Sequence, residues 1–190
     1  MNRPVTLLVL LLAGLLAGCG GGSRPTGIRA AETPADDVAE YQPRWRSHTV
    51  DSTQYRKVFL AGTIDMGRSA DWQAALVARF RDSIGGRWLF FNPRRREFHA
   101  SPAEMEYQVA WELAHLEAAD LIVMNLLGDS RSPISLLEMG LYARSGKLFV
   151  ACSPDYYRYD NVRITCRRYG VPLYDSLTAL LDDLPQQSDE

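Results

Sequence analysis

Apolar residues fall along this chain in two kinds of block: short runs closed by Gly, Asn or Pro, and longer stretches with apolar positions three and four apart. Lys57-Val58-Phe59-Leu60-Ala61 ends at Gly62 and predicts a first strand. Residues 71–82 set Trp72, Leu76, Val77 and Phe80 on one side of a helix. Arg87-Trp88-Leu89-Phe90-Phe91, stopped by Asn92-Pro93, predicts a second strand. Ser101-Pro102-Ala103-Glu104 reads as a capping box with Pro at the first helical position. The helix it opens runs to about residue 119, with Met105, Val109, Leu113 and Leu116 as the face to be buried. Asp120-Leu121-Ile122-Val123-Met124-Asn125 is a third strand. Ser132-Pro133 starts the next helix by the same chemistry, and Gly146 ends it. Leu148-Phe149-Val150-Ala151 is a fourth strand, residues 161–169 a helix, Val171-Pro172-Leu173-Tyr174 a short fifth strand, and residues 177–184 a last helix.

Strands alternating with helices of this length call for a parallel sheet covered on both faces. The expected fold is α/β: a flavodoxin-like three-layer sandwich on a five-stranded parallel sheet, in the order 2-1-3-4-5. In such sheets the ligand crevice opens at the carboxyl ends of strands one and three, where the winding reverses. Two loops should line it, residues 62–68 and 126–132.

The amino-terminal apolar run, residues 5–16, follows a single positive charge at Arg3. It is shorter than the roughly 20 residues that span a bilayer and has the size of a signal-peptide core. It closes in Leu16-Ala17-Gly18-Cys19, which resembles the lipobox of bacterial lipoproteins. The resemblance implies a signal peptide over residues 1–18, lipid on Cys19 and a domain displayed outside the cytoplasm. Gly20 after the cysteine, in place of Asp, favours outer-membrane sorting. Residues 19–56 turn to Gly, Ser, Pro, Thr, Ala and charge, with little apolar surface to offset the entropy of ordering. They read as a flexible tether with a reach of roughly 30–40 Å. Residues 57–185 remain as one domain with a real core, and residues 186–190 as a tail.

Composition narrows the partners. A net charge of −2 with 23% charged residues gives no nucleic-acid signal. Too few Cys and His stand at close spacing for a metal site, and no phosphate loop or cofactor motif is present. Cys152 and Cys166 are the cysteines beyond Cys19. They are either a disulfide, contributing about 3 kcal/mol in the chain-entropy model, or two buried thiols. His48, His99 and His115 are scattered and take no role.

The residue that carries chemistry in this pattern is Glu138. It lies four after Ile134 and three before Leu141, so it shares the stripe formed by Ile134, Leu137, Leu141 and Tyr142. A carboxylate there is paired or desolvated with a raised pKa, which beside a crevice makes it a nucleophile or acid; the plain alternative is a stripe-margin glutamate reaching solvent. Glu112, one turn from Val109, repeats the pattern, with an exposed ion-pair partner as its plain alternative.

Phe59-Leu60-Ala61-Gly62-Thr63-Ile64, then Glu112 eight residues before Asp120, then Ser132 six before Glu138 in Glu138-Met139-Gly140, together resemble the nucleoside 2-deoxyribosyltransferase superfamily, over residues 57–184. The resemblance implies that Glu138 attacks the anomeric carbon to form a covalent glycosyl intermediate, and that Glu112 holds or protonates the leaving base. It implies a small-molecule nucleoside or nucleotide as substrate, no cofactor, and a homo-oligomer whose neighbours complete the sites. Gly62, Thr63, Asp65, Arg68, Asn125 and Ser132 are the candidate substrate contacts. The transferases have Tyr at the place of Val58 and Asp at the place of Ser132. The related deoxynucleoside 5′-monophosphate N-glycosidases have Ser at the latter place, on phosphate, so Thr63, Arg68 and Ser132 can cradle a phosphate at a helix N-terminus. Asp65, where those enzymes have Arg, argues the other way. The competing functions are a non-catalytic nucleotide-binding lipoprotein of the envelope and a structural envelope lipoprotein.

Several aromatic and basic residues have two readings. Trp111 and Trp72 either stack a base or belong to the core. Arg94-Arg95-Arg96 is a solvated loop or a reach towards an anion. Residues 156–161, rich in Tyr, form a pocket wall or a subunit contact.

Overall fold

A computed structural model describes residues 37–97 and 101–184. The expected signal peptide, Cys19, the expected tether up to residue 36, His99 and the expected tail lie outside those residues. The elements are β1 (Val38–Gln42), β2 (Trp45–Arg46), β3 (Arg56–Gly62), α1 (Trp72–Ser83), β4 (Trp88–Phe91), α2 (Pro102–Ala118), β5 (Leu121–Leu126), α3 (Pro133–Tyr142), β6 (Leu148–Cys152), α4 (Tyr159–Tyr169), β7 (Leu173–Tyr174) and α5 (Leu177–Asp183). They build one sheet in the order β2-β1-β4-β3-β5-β6-β7. Every pairing is parallel except β1 with β2. Among the described residues no helix is long and apolar enough to cross a membrane.

The sheet has seven strands where five were expected. The two additional strands come from residues read as tether, so that reading is corrected for residues 37–56. Val38, Ala39 and Tyr41 are buried against β4 in register Val38↔Trp88 to Tyr41↔Phe91. A window average hides them because polar residues surround them, yet three buried side chains and the ladder with β4 suffice to order the strand.

The core has two halves, one on each face of the sheet. On one, α1 and α5 place Trp72, Leu76, Val77, Phe80, Leu180 and Leu181 over Val58, Leu60, Phe90 and Val123. Phe80 meets Trp88 and Phe90 edge-on, at centroid distances of 4.9 and 5.0 Å. On the other, α2, α3 and α4 cover Phe59, Ala61, Ile122, Met124 and Val150. Asp71, Ser101 and Ser176 cap α1, α2 and α5 by accepting from the third residue on.

The second half corrects two expectations. Of the α2 face, Leu116 is buried, whereas Met105 (63% exposed), Val109 and Leu113 face outward. On α3, Ile134, Leu137 (61% exposed) and Leu141 also face outward, and the buried side is Ser135, Glu138 and Met139. Glu138 lies at the inward margin of that stripe, one turn from Ile134 and Leu141, and is buried with Ser135 and Met139. Periodicity identifies a stripe but not which side meets the sheet, and here Ser135, Glu138 and Met139 turn inward while Ile134, Leu137 and Leu141 turn outward.

Cys152 and Cys166 are both buried free thiols. Burial pushes Cys152 up to about 12 and Cys166 to about 11, so both stay protonated and unreactive at neutral pH.

Candidate active site

The site forms where β3 and β5 end side by side, Gly62 opposite Asn125. Gly62 has φ +124°, and a Cβ there would overlap the Asn125 carbonyl; only glycine fits this approach. The chain then crosses to β5: Thr63 N–H donates to the Asn125 carbonyl at 2.9 Å, and the Thr63 carbonyl accepts from Trp72 Nε1 at 2.8 Å. Asn125 contributes through its backbone. Trp72 is a core residue that pins the β3–α1 loop, which decides its two readings.

Ser132 does not cap α3 with its side chain, contrary to expectation. It sits in the left-handed region (φ 40°, ψ 53°), which swings its Oγ to 2.8 Å from Thr63 Oγ1 and 2.8 Å from Ser130 Oγ. Ser130 donates to Asp65 Oδ1 at 2.9 Å, and Thr63 Oγ1 accepts from the Leu127 N–H at 3.1 Å. Asp65 and Met66 are left-handed as well. Such strain in non-glycine residues costs on the order of 1 kcal/mol each and is held here by the hydroxyl contacts. The structure thus joins Gly62, Thr63, Asp65, Asn125 and Ser132. Arg68 is exposed, and its guanidinium takes no part in these contacts.

Both candidate carboxylates come from the helices on the α2–α3 side. Glu138 is 8% exposed. Burial, then the neighbouring Glu112 charge, lifts its pKa from 4.5 to about 8. Glu112 is half-buried and also raised by burial, partly offset by its hydrogen bond from Gln108 and by the positive charge of Arg95. The Glu112 charge adds to burial in holding the Glu138 carboxyl protonated above the ordinary glutamate range. Gln108 Nε2 donates to Glu112 Oε1 at 2.6 Å and to the Pro93 carbonyl at 3.0 Å. Arg95 Nε donates to Gln108 Oε1 at 2.5 Å, which fixes the amide with its NH2 towards Glu112. One oxygen of Glu112 is thereby held by the Gln108 amide.

Sequence reasoning missed Ser130, Gln108 and Arg95. Gln108 one turn before Glu112 was a readable signal; the Ser130–Asp65 contact, 65 positions apart, was not. The solvated-loop reading of Arg94 is corrected: its buried side chain donates to Gln73 Oε1, Ser69 Oγ and the Ala70 carbonyl, clamping the β3–α1 loop. Trp111 stacks on His115 at 4.0 Å and packs against Phe59, a core role. Tyr156 is buried, and its hydroxyl donates to the Arg131 carbonyl at 2.6 Å, holding the β5–α3 loop. Among the described residues no group of three or more His, Cys, Asp and Glu could hold a metal ion.

The carboxyl ends of β3 and β5, where the winding of the parallel sheet reverses, are where ligands of such sheets bind. Residues 55–156 match the family model described as nucleoside 2-deoxyribosyltransferase like, and the chain belongs to that family. The family is generally of transferase or glycosidase type, and its members bind small-molecule nucleosides or nucleotides. A crystal structure of a conserved protein from Enterococcus faecalis V583 shares the fold, with a TM-score of 0.52 and 16% identity over 70% of this chain and 99% of that one. A search of curated proteins gives no match.

Proposed function

We propose that the protein cleaves or transfers at the N-glycosidic bond of a deoxynucleoside or its monophosphate through a covalent glycosyl-Glu138 intermediate. The observation that carries this is the buried Glu138, raised by burial and by the charge of the half-buried Glu112. Glu138 attacks C1′ as a carboxylate while the C1′–N bond breaks and its electron pair leaves with the base. Glu112, as the acid, protonates or hydrogen-bonds the departing ring nitrogen. In the free protein burial weighs more heavily on Glu138. A sugar with developing positive charge lowers the Glu138 pKa, and its proton passes to Glu112. A second base or water then attacks C1′, the bond to Glu138 breaks, and Glu112 takes back a proton. The test is base release, followed by chromatography, from the four 2′-deoxynucleosides and their 5′-monophosphates. Release of no base from any of them would leave the non-catalytic nucleotide-binding reading.

Two further parts of the proposal concern place and assembly. Cys19 carries a lipid that tethers the domain to the envelope, with the outer membrane favoured, on the strength of Leu16-Ala17-Gly18-Cys19. Cys19→Ser should abolish acyl labelling and leave unprocessed precursor. A second copy of the chain covers the outward apolar face of α2 and α3. Gly140 lies on that helix with open space around it, so nothing within one copy requires a glycine there, whereas a close-packed neighbour would.

A further inference from the structure

Residues 38–46 precede residues 55–156, the span matched by the family, yet they reach the helix that carries Glu112. Of the residues of α2, Leu116, in the last turn, is the buried one. Trp111 is half-buried and packs against Phe59. The first two turns therefore have no core to rest on, and a helix end without tertiary packing frays. What holds them is polar and comes from outside the helix.

The β1–β2 hairpin is set in place by β4. Beyond their shared ladder, the Asn92 N–H donates to the Tyr41 carbonyl at 2.8 Å, and Asn92 Nδ2 donates to Glu40 Oε1 at 2.8 Å. At the tip of the hairpin Arg44 takes a left-handed backbone, φ 61°. Its N–H donates to Tyr107 Oη at 3.2 Å, and its guanidinium lies 4.0 Å from the centre of the Tyr107 ring. Arg44 Nη2 and Nε donate to the two Glu104 carboxylate oxygens at 2.8 and 3.3 Å. Glu104 and Tyr107 are three apart and share one side of the helix.

The loop after β4 makes a second hold. Arg96 stacks 3.6 Å over the Trp45 ring and donates to Gln42 Oε1 at 3.0 Å, which ties the loop to the hairpin. Arg95 Nη2 donates to the Glu104 carbonyl at 2.9 Å, and Arg95 Nε to Gln108 Oε1 at 2.5 Å. Glu104, Gln108 and Glu112 follow at intervals of four along one side of α2. Gln108 Nε2 ends the series on Glu112 Oε1 at 2.6 Å.

We propose that Arg44 is a positioning residue for Glu112: from a hairpin outside the family span it holds the first turns of α2, so that Gln108 stays between Arg95 and Glu112. The inference rests on the reading of Glu112 as the acid at the departing base. The side chains of the Arg44–Glu104 pair are 59% and 27% exposed, and exposed pairs add little to global stability. The effect of Arg44 is local, on the helix end that presents Gln108 to Glu112.

The experiment compares the full chain with Arg44→Ala on two substrates. Guanine leaves 2′-deoxyguanosine with help from an acid, whereas 7-methyl-2′-deoxyguanosine already carries a positive charge and releases a neutral base without a proton. In Arg44→Ala, kcat on 2′-deoxyguanosine should fall by at least about fivefold, and on the methylated nucleoside by less than about twofold. Tm should fall by a few degrees at most. Equal losses on the two substrates, or no loss on either, overturn the proposal, because a general structural defect does not distinguish leaving groups. Amide exchange gives a readout independent of catalysis: residues 104–112 should exchange at least about tenfold faster in Arg44→Ala, with β3 and β5 unchanged. Unchanged exchange in α2, or faster exchange throughout the sheet, overturns the proposal whatever the rates. Where the parent acts on neither guanine nucleoside, exchange alone decides. Release of no base from any nucleoside or monophosphate defeats the catalytic reading separately and leaves the hold on α2 to the same measurement.

Discussion

The two faces of the sheet obey different rules. Over the α1–α5 face, helices turn their apolar stripes inward: Trp72, Leu76, Val77 and Phe80 are all buried, and polar residues look outward. Over the α2–α3 face the arrangement is inverted near the crevice. Met105, Val109, Leu113, Ile134, Leu137 and Leu141 look outward, while Glu138 and Ser135 look in. The first face is what a helix does when the burial of apolar area outweighs every other influence on its orientation. On the second, two acids are held in a partly dry environment that lowers stability, and apolar area is left for another surface to cover. Glu138 is turned inward on this face, and the outward apolar stripe is the surface that the proposed second copy would cover.

Glu138→Gln should break this contrast most severely. The amide keeps the shape but cannot capture C1′, so base release should fall by about a thousandfold, near 4 kcal/mol, with circular dichroism unchanged. The same variant sharpens the stability side. A carboxyl raised from 4.5 to about 8 is protonated in the fold at pH values where the unfolded chain has lost the proton. The unfolded state binds fewer protons, so the parent loses stability as pH rises from about 4.5 towards about 8. In Glu138→Gln that loss is absent, and above about pH 8 the variant should melt higher than the parent. A parent melting profile that rises over this range would contradict the assignment.

The next effect tests both faces at once. β1 sends Val38 into the α1–α5 half and Ala39 and Tyr41 into the other. A chain beginning at Thr53 should lose about 3 kcal/mol from side-chain burial alone, seen as a fall in Tm of roughly 10 °C. An unchanged Tm would return β1 to the tether. The smallest effect on stability should come from the outward stripe. Leu137→Glu combined with Val109→Lys replaces exposed side chains and should change stability by less than about 0.5 kcal/mol. Light scattering should nevertheless show the mass fall from an oligomer to a single copy. A parent that is already a single copy would remove the second chain from the picture.

By itself the sequence determined the elements from β3 to α5, because each rests on local information: apolar runs ended by Gly or Asn-Pro, and caps such as Ser101 and Ser176. It also pointed to Glu138, although the stripe it adjoins, Ile134, Leu137 and Leu141, turns outward while Glu138 turns inward. Tertiary structure alone decided the rest. β1 exists because β4 offers it a ladder and two half-cores to fill, and its own composition carries too few apolar residues to announce it. The side of α3 that meets the sheet was settled by packing, since helical periodicity is blind to a rotation of the whole helix. Ser132 was diverted from capping by hydroxyls that approach from β3 and its own loop. The pairing of Glu112 with Glu138 and of Ser130 with Asp65 depends on charge and hydrogen bonds acting across space, which have no period along the chain.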